Sequence, residues 1–477
     1  MSKNNTSVRP FGMRDKLGYA MGDMGCNFSF QLISTYMQLF YCQLIGIKAE
    51  HYAAIILISK FWDAVNDVII GNLVDTKKIG KKSKFMPWII LGAIGLVGLT
   101  IMVFAPIGSF SYAGKIAWCL ISYCLWSVAY TMVNVPYGSL LSVITDDPKQ
   151  RTSLSTMRSI GAALPGVIVM MVLPKVVYSK VETAPGTTED MLNGSSLLIT
   201  AVVLSIAALL TLWGTTKLVT ERVARNESGE SPNGAKAFFS AFRSFFTNRP
   251  MIGATIATVA SVAFFNSTMS LNNMVFQYFF EDTSKMSLAM VGSYAPMIVA
   301  MALIGKLTGK FGKKKVASVA MLISAVAGIA SLLLPVQTNS KGMILYIVLL
   351  MFLNSGNGIF QISVWAIVAD CIEISYRKTG KSEEGSLYAL YSFFRKLSQG
   401  IGQAVSSLGL AAIGFVEGTG AVQPEGFGDS IKNLYFIILF AGSLIAFLGM
   451  AFVYNISHEQ EKEFANTNVS DENNIQE

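Results

Sequence analysis

Charge is what this sequence has least of. Only 14% of its 477 residues are Asp, Glu, Lys or Arg, against about a quarter in an ordinary soluble domain, which excludes a conventional solvated surface. Histidine is nearly missing. His51 and His458 are the only two, both at or beyond the ends of apolar runs, which excludes a histidine proton relay within a membrane. The five cysteines (Cys26, Cys42, Cys119, Cys124 and Cys371) lie within or at the edge of apolar segments and read as small buried residues, not as a disulfide framework. No glycine-rich loop ends in Lys-Ser or Lys-Thr, which argues against ATP as an energy source. No Gly-x-Ser-x-Gly or His-Glu-x-x-His pattern marks a hydrolase. Residues 1–16 are polar and basic without an apolar core or cleavage site, so no cleavable signal peptide is expected. The chain is not expected to be an enzyme.

What the sequence has is apolar length. Hydrophobic residues make up 52% of it, gathered in runs of about 20 or more, enough to cross a hydrocarbon core of about 30 Å as helix. A backbone inside lipid must satisfy its own hydrogen bonds, as helices or as a closed barrel, and the period-2 alternation of a barrel is absent. The runs predict an all-α membrane protein of twelve transmembrane helices at 17–45, 51–74, 86–106, 113–146, 152–175, 195–216, 250–280, 286–308, 315–335, 341–371, 384–415 and 430–455. Of the 37 Lys and Arg residues, 26 fall in flanks and loops on one side and seven on the other. The positive-inside rule then puts both termini in the cytoplasm, in the inner membrane.

The chain also reads as a duplication. Gly71-Asn-Leu73-Val-Asp75 followed by Gly80-Lys81-Lys82 closes the second span. Gly305-Lys-Leu307-Thr-Gly309 followed by Gly312-Lys313-Lys314 closes the eighth, six spans later. The resulting plan is a cytoplasmic segment 1–16, a six-helix bundle 17–216, a polar linker 217–249, a second six-helix bundle 250–455 and a tail 456–477. Two parallel halves joined by a linker match the architecture of major facilitator transporters.

The informative residues are ionisable ones within the apolar runs. The second span carries Lys60, Asp63, Asn66 and Asp67. Lys60, Asp63 and Asp67 are spaced i, i+3 and i+7 and share a face, and each charge costs about 2.5–3.5 kcal/mol at a helix centre. Paired carboxylates one turn apart repel each other and favour a shared proton or a bound Na+, with Asn66 and Thr131 as neutral oxygen donors; the alternative is a charge stripe compensated between helices. Elsewhere stand Asp23 and Asn27 on the first span, Trp126, Tyr130, Thr131 and Asn134 on the fourth, and Arg158 on the fifth. The tenth span bears Asn354, Asn357, Gln361 and Trp365, with Asp370 and Glu373 nearer its end, and the eleventh bears Arg395 and Lys396. Amides, indoles and fixed charges are what a sugar requires, since its hydroxyls need donors and acceptors and its C–H faces stack on aromatic rings. The alternative for any one of them is a helix–helix hydrogen bond.

Lys60–Trp88 (KFWDAVNDVIIGNLVDTKKIGKKSKFMPW) resembles the signature of the glycoside–pentoside–hexuronide:cation symporters, a melibiose-permease-like branch of the major facilitator superfamily. GYAMGDMGCNF at Gly18–Phe28, YTMVNVPYGSLL at Tyr130–Leu141 and the blocks between Val364 and Gly402 agree with it. The resemblance implies a secondary active transporter that carries a glycoside, pentoside or hexuronide with Na+ or H+ by alternating access. Asp63 and Asp67 match its cation-binding carboxylates, as metal ligands if the ion is Na+, with Asn66 and Thr131 contributing. Asn27, Asn134, Arg158 and Trp365 match positions lining the sugar cavity, Lys396 matches a functional lysine, and Asp23 resembles an acid common in the first span. Asn27, Asn134 and Gly138 depart from melibiose permease, which has two acids and a tryptophan there. The less negative cavity leaves open an anionic hexuronide or a neutral pentoside or disaccharide. No cofactor is expected beyond the coupling ion. The expected partners are a small-molecule sugar or sugar acid and membrane lipid, with no nucleic acid and no obligatory protein partner. A passive sugar facilitator and a lipid or lysolipid transporter of the same fold are the alternatives.

Overall fold

The computed structural model describes residues 9–77, 79, 83–145, 147–184, 187–222, 242–379, 384–461 and 463. Gly80-Lys81-Lys82, most of the predicted linker, the first eight residues and the end of the tail lie outside these. Among the described residues there are twelve helices of 18 residues or more. They are α1 (Met13–Leu39), α2 (Ala49–Thr76), α3 (Met86–Val103), α4 (Tyr112–Ile144), α5 (Pro148–Val167) and α6 (Gly194–Leu218), then α7 (Arg249–Met274), α8 (Met286–Phe311), α9 (Lys313–Leu333), α10 (Ser340–Thr379), α11 (Glu384–Ala412) and α12 (Phe427–Leu448). Eight of them are long and apolar enough to cross a membrane on length and composition alone. Of the four that fall short, α1, α2, α8 and α11, three carry charges singled out above: Asp23 on α1, the Lys60–Asp67 cluster on α2 and the Arg395-Lys396 pair on α11. All five cysteines are free thiols.

One feature was not read from the sequence. Between α5 and α6 the chain forms an antiparallel hairpin, β1 (Tyr178–Ala184) with β2 (Thr187–Leu192), in which Tyr178 pairs with Leu192 and Lys180 with Asp190. Its signal is Pro185-Gly186 flanked by Val and Thr residues, a turn dipeptide between residues that favour strands. α10 also outruns its predicted end at 371 and continues to Thr379, where Arg377 pairs with Glu373 one turn back at 2.7 Å.

The chain divides into two compact units, Met1–Gly229 with Val416–Val422, and Glu230–Phe415 with Gln423–Glu477. Within the first, α1 packs between α5 and α6, and α4 packs on α2 and α3. Within the second, α7 packs between α11 and α12, and α10 packs on α8 and α9. The same devices recur in both. α1 runs into a wider π turn, Phe40–Leu44, closed by Ile45 N–H on Phe40 C=O (3.0 Å) and Ile47 N–H on Tyr41 C=O (2.9 Å). α7 runs into Val275–Phe279, closed by Phe280 on Val275 (3.1 Å) and Asp282 on Phe276 (3.0 Å). Gly46 (φ +78°) and Glu281 (φ +53°) take the left-handed turn in the two copies.

The fifth helix of each half meets the first through a glycine. A Cβ on Gly161 of α5 would lie 2.1 Å from the Ala20 carbonyl oxygen of α1, and one on Gly402 of α11 would lie 1.9 Å from that of Ala263 of α7. Small residues allow backbones this close where lipid offers no hydrophobic drive to association. After the sixth helix of each half an acid reaches the start of the third. Glu221 accepts from Ser83 Oγ (2.6 Å) and the amides of Lys84 and Phe85, while Glu461 accepts from the Lys313 amide (3.0 Å). A carboxylate there answers the unpaired N–H groups and positive dipole of a helix N-terminus.

In the first unit, Asp15 is fully buried at the start of α1 and accepts from Arg9 (2.7 Å), Arg222 (2.8 and 3.1 Å) and the Thr220 amide (3.1 Å). Arg222 also donates to the Pro10, Ile144 and Thr220 carbonyls, so this one ion pair ties α1 to the ends of α4 and α6. In Val416–Val422, Glu417 Oε1 accepts from the Ala49 amide at the first residue of α2 (2.8 Å), and Gly418 N–H bonds Cys42 C=O (3.1 Å).

Two outcomes follow from this packing. Glu281 is the one non-glycine residue with positive φ among those described, so Glu281→Gly should raise stability by about 0.5–1 kcal/mol, the left-handed strain less the added chain entropy, read as a higher Tm in detergent. Gly161→Val and Gly402→Val should each cost about 1–3 kcal/mol through overpacking and lower the yield of folded, monodisperse protein.

Candidate functional site

The predicted acids of α2 lie against α4, along a polar seam. Tyr123, Ser127 and Thr131 are spaced i, i+4 and i+8 on α4 and so share one face, set against Asp63, Asn66 and Asp67. Asp63 Oδ2 accepts from Lys60 Nζ and from the Tyr123 hydroxyl, each at 3.1 Å, and its Oδ1 accepts from Ser127 Oγ. Asn66 donates to the Ser127 carbonyl (3.3 Å) and to Thr131 Oγ1 (3.0 Å), and Thr131 donates to Asp67 Oδ1 (2.9 Å). The Lys60 and Asp63 side chains are 8% and 18% exposed, and Lys60 also sits over the Tyr123 ring, 5.2 Å from its centroid. Asp63, Asp67, Asn66 and Thr131 therefore belong to one hydrogen-bonded chain. Tyr123 and Ser127, which sequence reading passed over, complete it; their spacing with Thr131 was the available signal. Among the described residues no three of His, Cys, Asp and Glu form a metal-holding group, so a cation here would draw on hydroxyl and amide oxygens beside the carboxylates, a donor set of hard oxygens.

A second cluster joins α1 to α5. Arg158 Nε donates to Asp23 Oδ1 at 3.1 Å, with Arg158 40% exposed and Asp23 only 8%. Asn27 donates to Asp23 Oδ2 (3.2 Å) and to its carbonyl (2.9 Å). The guanidinium stands over the Tyr137 ring at 5.3 Å, and that ring stacks on Tyr19 and donates its hydroxyl to the Tyr19 carbonyl (2.8 Å). Asp23 thus anchors the base of an arginine whose outer edge stays accessible, an arrangement able to receive a carboxylate, a sulfonate or a sugar hydroxyl. Asn134 is half-buried on α4. Trp126 is turned toward α1, its indole N–H donating to Ser29 Oγ (2.7 Å), which in turn shares a hydrogen bond with Thr100 Oγ1 (2.6 Å), and its ring stacks on Tyr130. The polar edge of that indole is spent within the helix packing.

The second unit carries its own predicted residues. Trp365 on α10 is half exposed and lies under the Arg395 guanidinium of α11, 4.7 Å from the ring centroid. Tyr391 approaches its edge and bonds Thr258 Oγ1 at 3.1 Å. Lys396, the next residue on α11, is exposed. Gln361 donates to Ser261 Oγ of α7 (3.0 Å), and Ser261 bonds Asn357, which turns the amides of α10 toward α7. Asp370 is held by Lys313 at 2.6 Å near the end of α10 and forms an ion pair apart from the aromatic group.

The relatives of this chain are named as symporters, importers and carriers. It is 29% identical to the uncharacterized symporter YjmB of Bacillus subtilis over 456 residues, covering 94% of this chain and 93% of that protein. It is 27% identical to a putative sulfoquinovose importer of Escherichia coli (98% and 95% covered), and 26% identical to an E. coli glucuronide carrier protein homolog (84% and 84%). Solved structures of a bacterial homolog of the human lysosomal transporter Spinster (TM-score 0.63, 15% identity, 96% of this chain and 99% of that one) and of the nucleoside transporter NupG (TM-score 0.63, 13% identity, 93% and 100%) share its fold. These likenesses agree with a transporter and not an enzyme, built on the major facilitator fold. Residues 18–458 match the family described as MFS/sugar transport protein, and the chain belongs to that family.

Proposed function

We propose that this protein is a secondary active symporter of the inner membrane that carries a sugar acid of the hexuronide type with Na+ or H+, both termini being cytoplasmic. The single observation that carries the reading is the polar seam of α2 and α4. Two carboxylates sit there within a membrane span, hydrogen-bonded to the Ser127, Tyr123 and Thr131 hydroxyls, with Lys60 paired to Asp63, where charge left without full compensation would cost several kcal/mol. A cation bound between Asp63 and Asp67 offsets that cost, and solute binding that stabilises the same arrangement tightens the cation by the same free energy. The membrane potential then adds about 2.3 kcal/mol per charge per 100 mV. Asn66 and Thr131 complete the proposed cation site.

Asp23, Asn27, Trp126, Asn134 and Arg158 are the proposed solute-binding residues of the first unit, with Trp126 acting as a buried wall, and Trp365 and Lys396 are those of the second. The preference for an anion rests on Arg158, partly exposed beyond its contact with Asp23. Names among the relatives, sulfoquinovose and glucuronide, are of acidic sugars and support the same choice. The basic Trp365–Arg395–Lys396 group of the second unit is of matching charge.

Uptake into proteoliposomes tests this directly, with uronides and neutral glycosides compared while Na+ and pH gradients are imposed separately. Uphill accumulation of a uronide under one gradient is expected, and uptake indifferent to both gradients would leave a passive facilitator. Asp63→Asn should abolish uphill accumulation while leaving downhill exchange; retained accumulation would remove Asp63 from coupling. Arg158→Lys keeps a charge beside Asp23 but loses the planar fork, and should weaken uronide binding by about tenfold, as expected for a lost charge-assisted hydrogen bond, with less effect on any neutral solute bound.

A further inference from the structure

Lys60 has no place in the proposed cation or solute site, yet it is the group nearest its charge. Its ammonium is buried, 3.1 Å from Asp63 Oδ2, and backed by the Tyr123 ring. Two further acceptor positions of Asp63 are engaged as well, the second on Oδ2 by the Tyr123 hydroxyl and one on Oδ1 by Ser127. A carboxylate that takes a lysine and two hydroxyls already has its negative charge answered and its lone pairs directed. No incoming cation can coordinate Asp63 on the Oδ2 side while the ammonium remains there.

We propose that Lys60 is a resident competitor of the coupling ion, the tethered counter-ion of Asp63 that must leave before the transported cation binds it. This rests on the symport reading of the α2–α4 seam. The device has a clear physical use. A membrane-buried carboxylate left bare between transport cycles carries the full cost of an isolated charge, while one paired with a tethered ammonium does not. The tether is short, three residues along the same helix face, and the Tyr123 ring gives the displaced ammonium a second favourable contact. Lys60 then sets how tightly the cation is held, making it loose enough to release at each turnover. An opposite charge this close opposes cation uptake by a carboxylate about tenfold to a thousandfold.

The experiment measures cation activation of solute binding by the full-length protein, with Na+ titrated at fixed pH and H+ titrated in Na+-free buffer. Lys60→Met should lower the half-activating concentration of whichever cation is effective by about tenfold or more, while Lys60→Arg, which keeps the charge, should leave it within about threefold of the starting protein on the same reasoning. An unchanged or higher value for Lys60→Met overturns the proposal. If Lys60→Met does not fold, the unsubstituted protein decides. Reductive methylation of Lys60, followed by peptide mass spectrometry, should rise several-fold at saturating cation as the ammonium is displaced, and labelling that stays flat while solute binding saturates overturns the proposal. Should no cation activate the unsubstituted protein, the symport reading itself fails, an outcome distinct from an effective cation that ignores Lys60.

Discussion

The constraint that organises this molecule is the cost of carrying charge through a span that must sit in lipid. Four carboxylates kept within or beside apolar runs are each surrounded by partners. Asp63 has Lys60, Tyr123 and Ser127, Asp23 has Arg158 and Asn27, Asp370 has Lys313, and Asp15 has two arginines and backbone amides. These groups differ in what they leave over. Asp15 is sealed and serves assembly. Asp23 holds an arginine that still faces outward, and Asp63 belongs to a chain of hydroxyls and an amide that runs on to Asp67.

Duplication supplies the frame for these pairs. The matched helix endings at Phe40–Leu44 and Val275–Phe279, the matched glycines at 161 and 402, and the matched acids at 221 and 461 are solutions to backbone problems and recur in both halves. The charged side chains of the candidate sites do not follow the repeat. The first unit has its acids on α1 and α2, whereas the second presents arginine, lysine and tryptophan from α10 and α11. Architecture is shared between the halves, and chemistry is divided between them.

The helices were legible because their signal is length of apolar run, which survives even where Asp63 or Arg395 interrupts it. The acid cluster on α2 was legible because charges in such runs are conspicuous. The partners were harder to see. Tyr123 and Ser127 are common residues in a helix and acquire meaning only once α4 lies against α2. The orientation of Trp126 toward Ser29 cannot be told from its spacing with Tyr130 and Asn134, since an indole on a shared face points equally well to a cavity or to a neighbouring helix. The hairpin at 178–192 was overlooked for a related reason, because a short polar segment between two long spans invites reading as plain loop although Pro185-Gly186 announces a turn.

The segment Val416–Val422 gives the first unit a property that its helices alone would not have. That unit is not one continuous length of polypeptide, since the carboxylate of Glu417, which meets the opening amide of α2, arrives from nearly two hundred residues beyond the point where the rest of the unit ends. A gene cut at the midpoint would yield an N-terminal fragment in which α2 begins with an unanswered amide. Chimeras assembled from relatives at that same junction would inherit this stitch from the wrong parent.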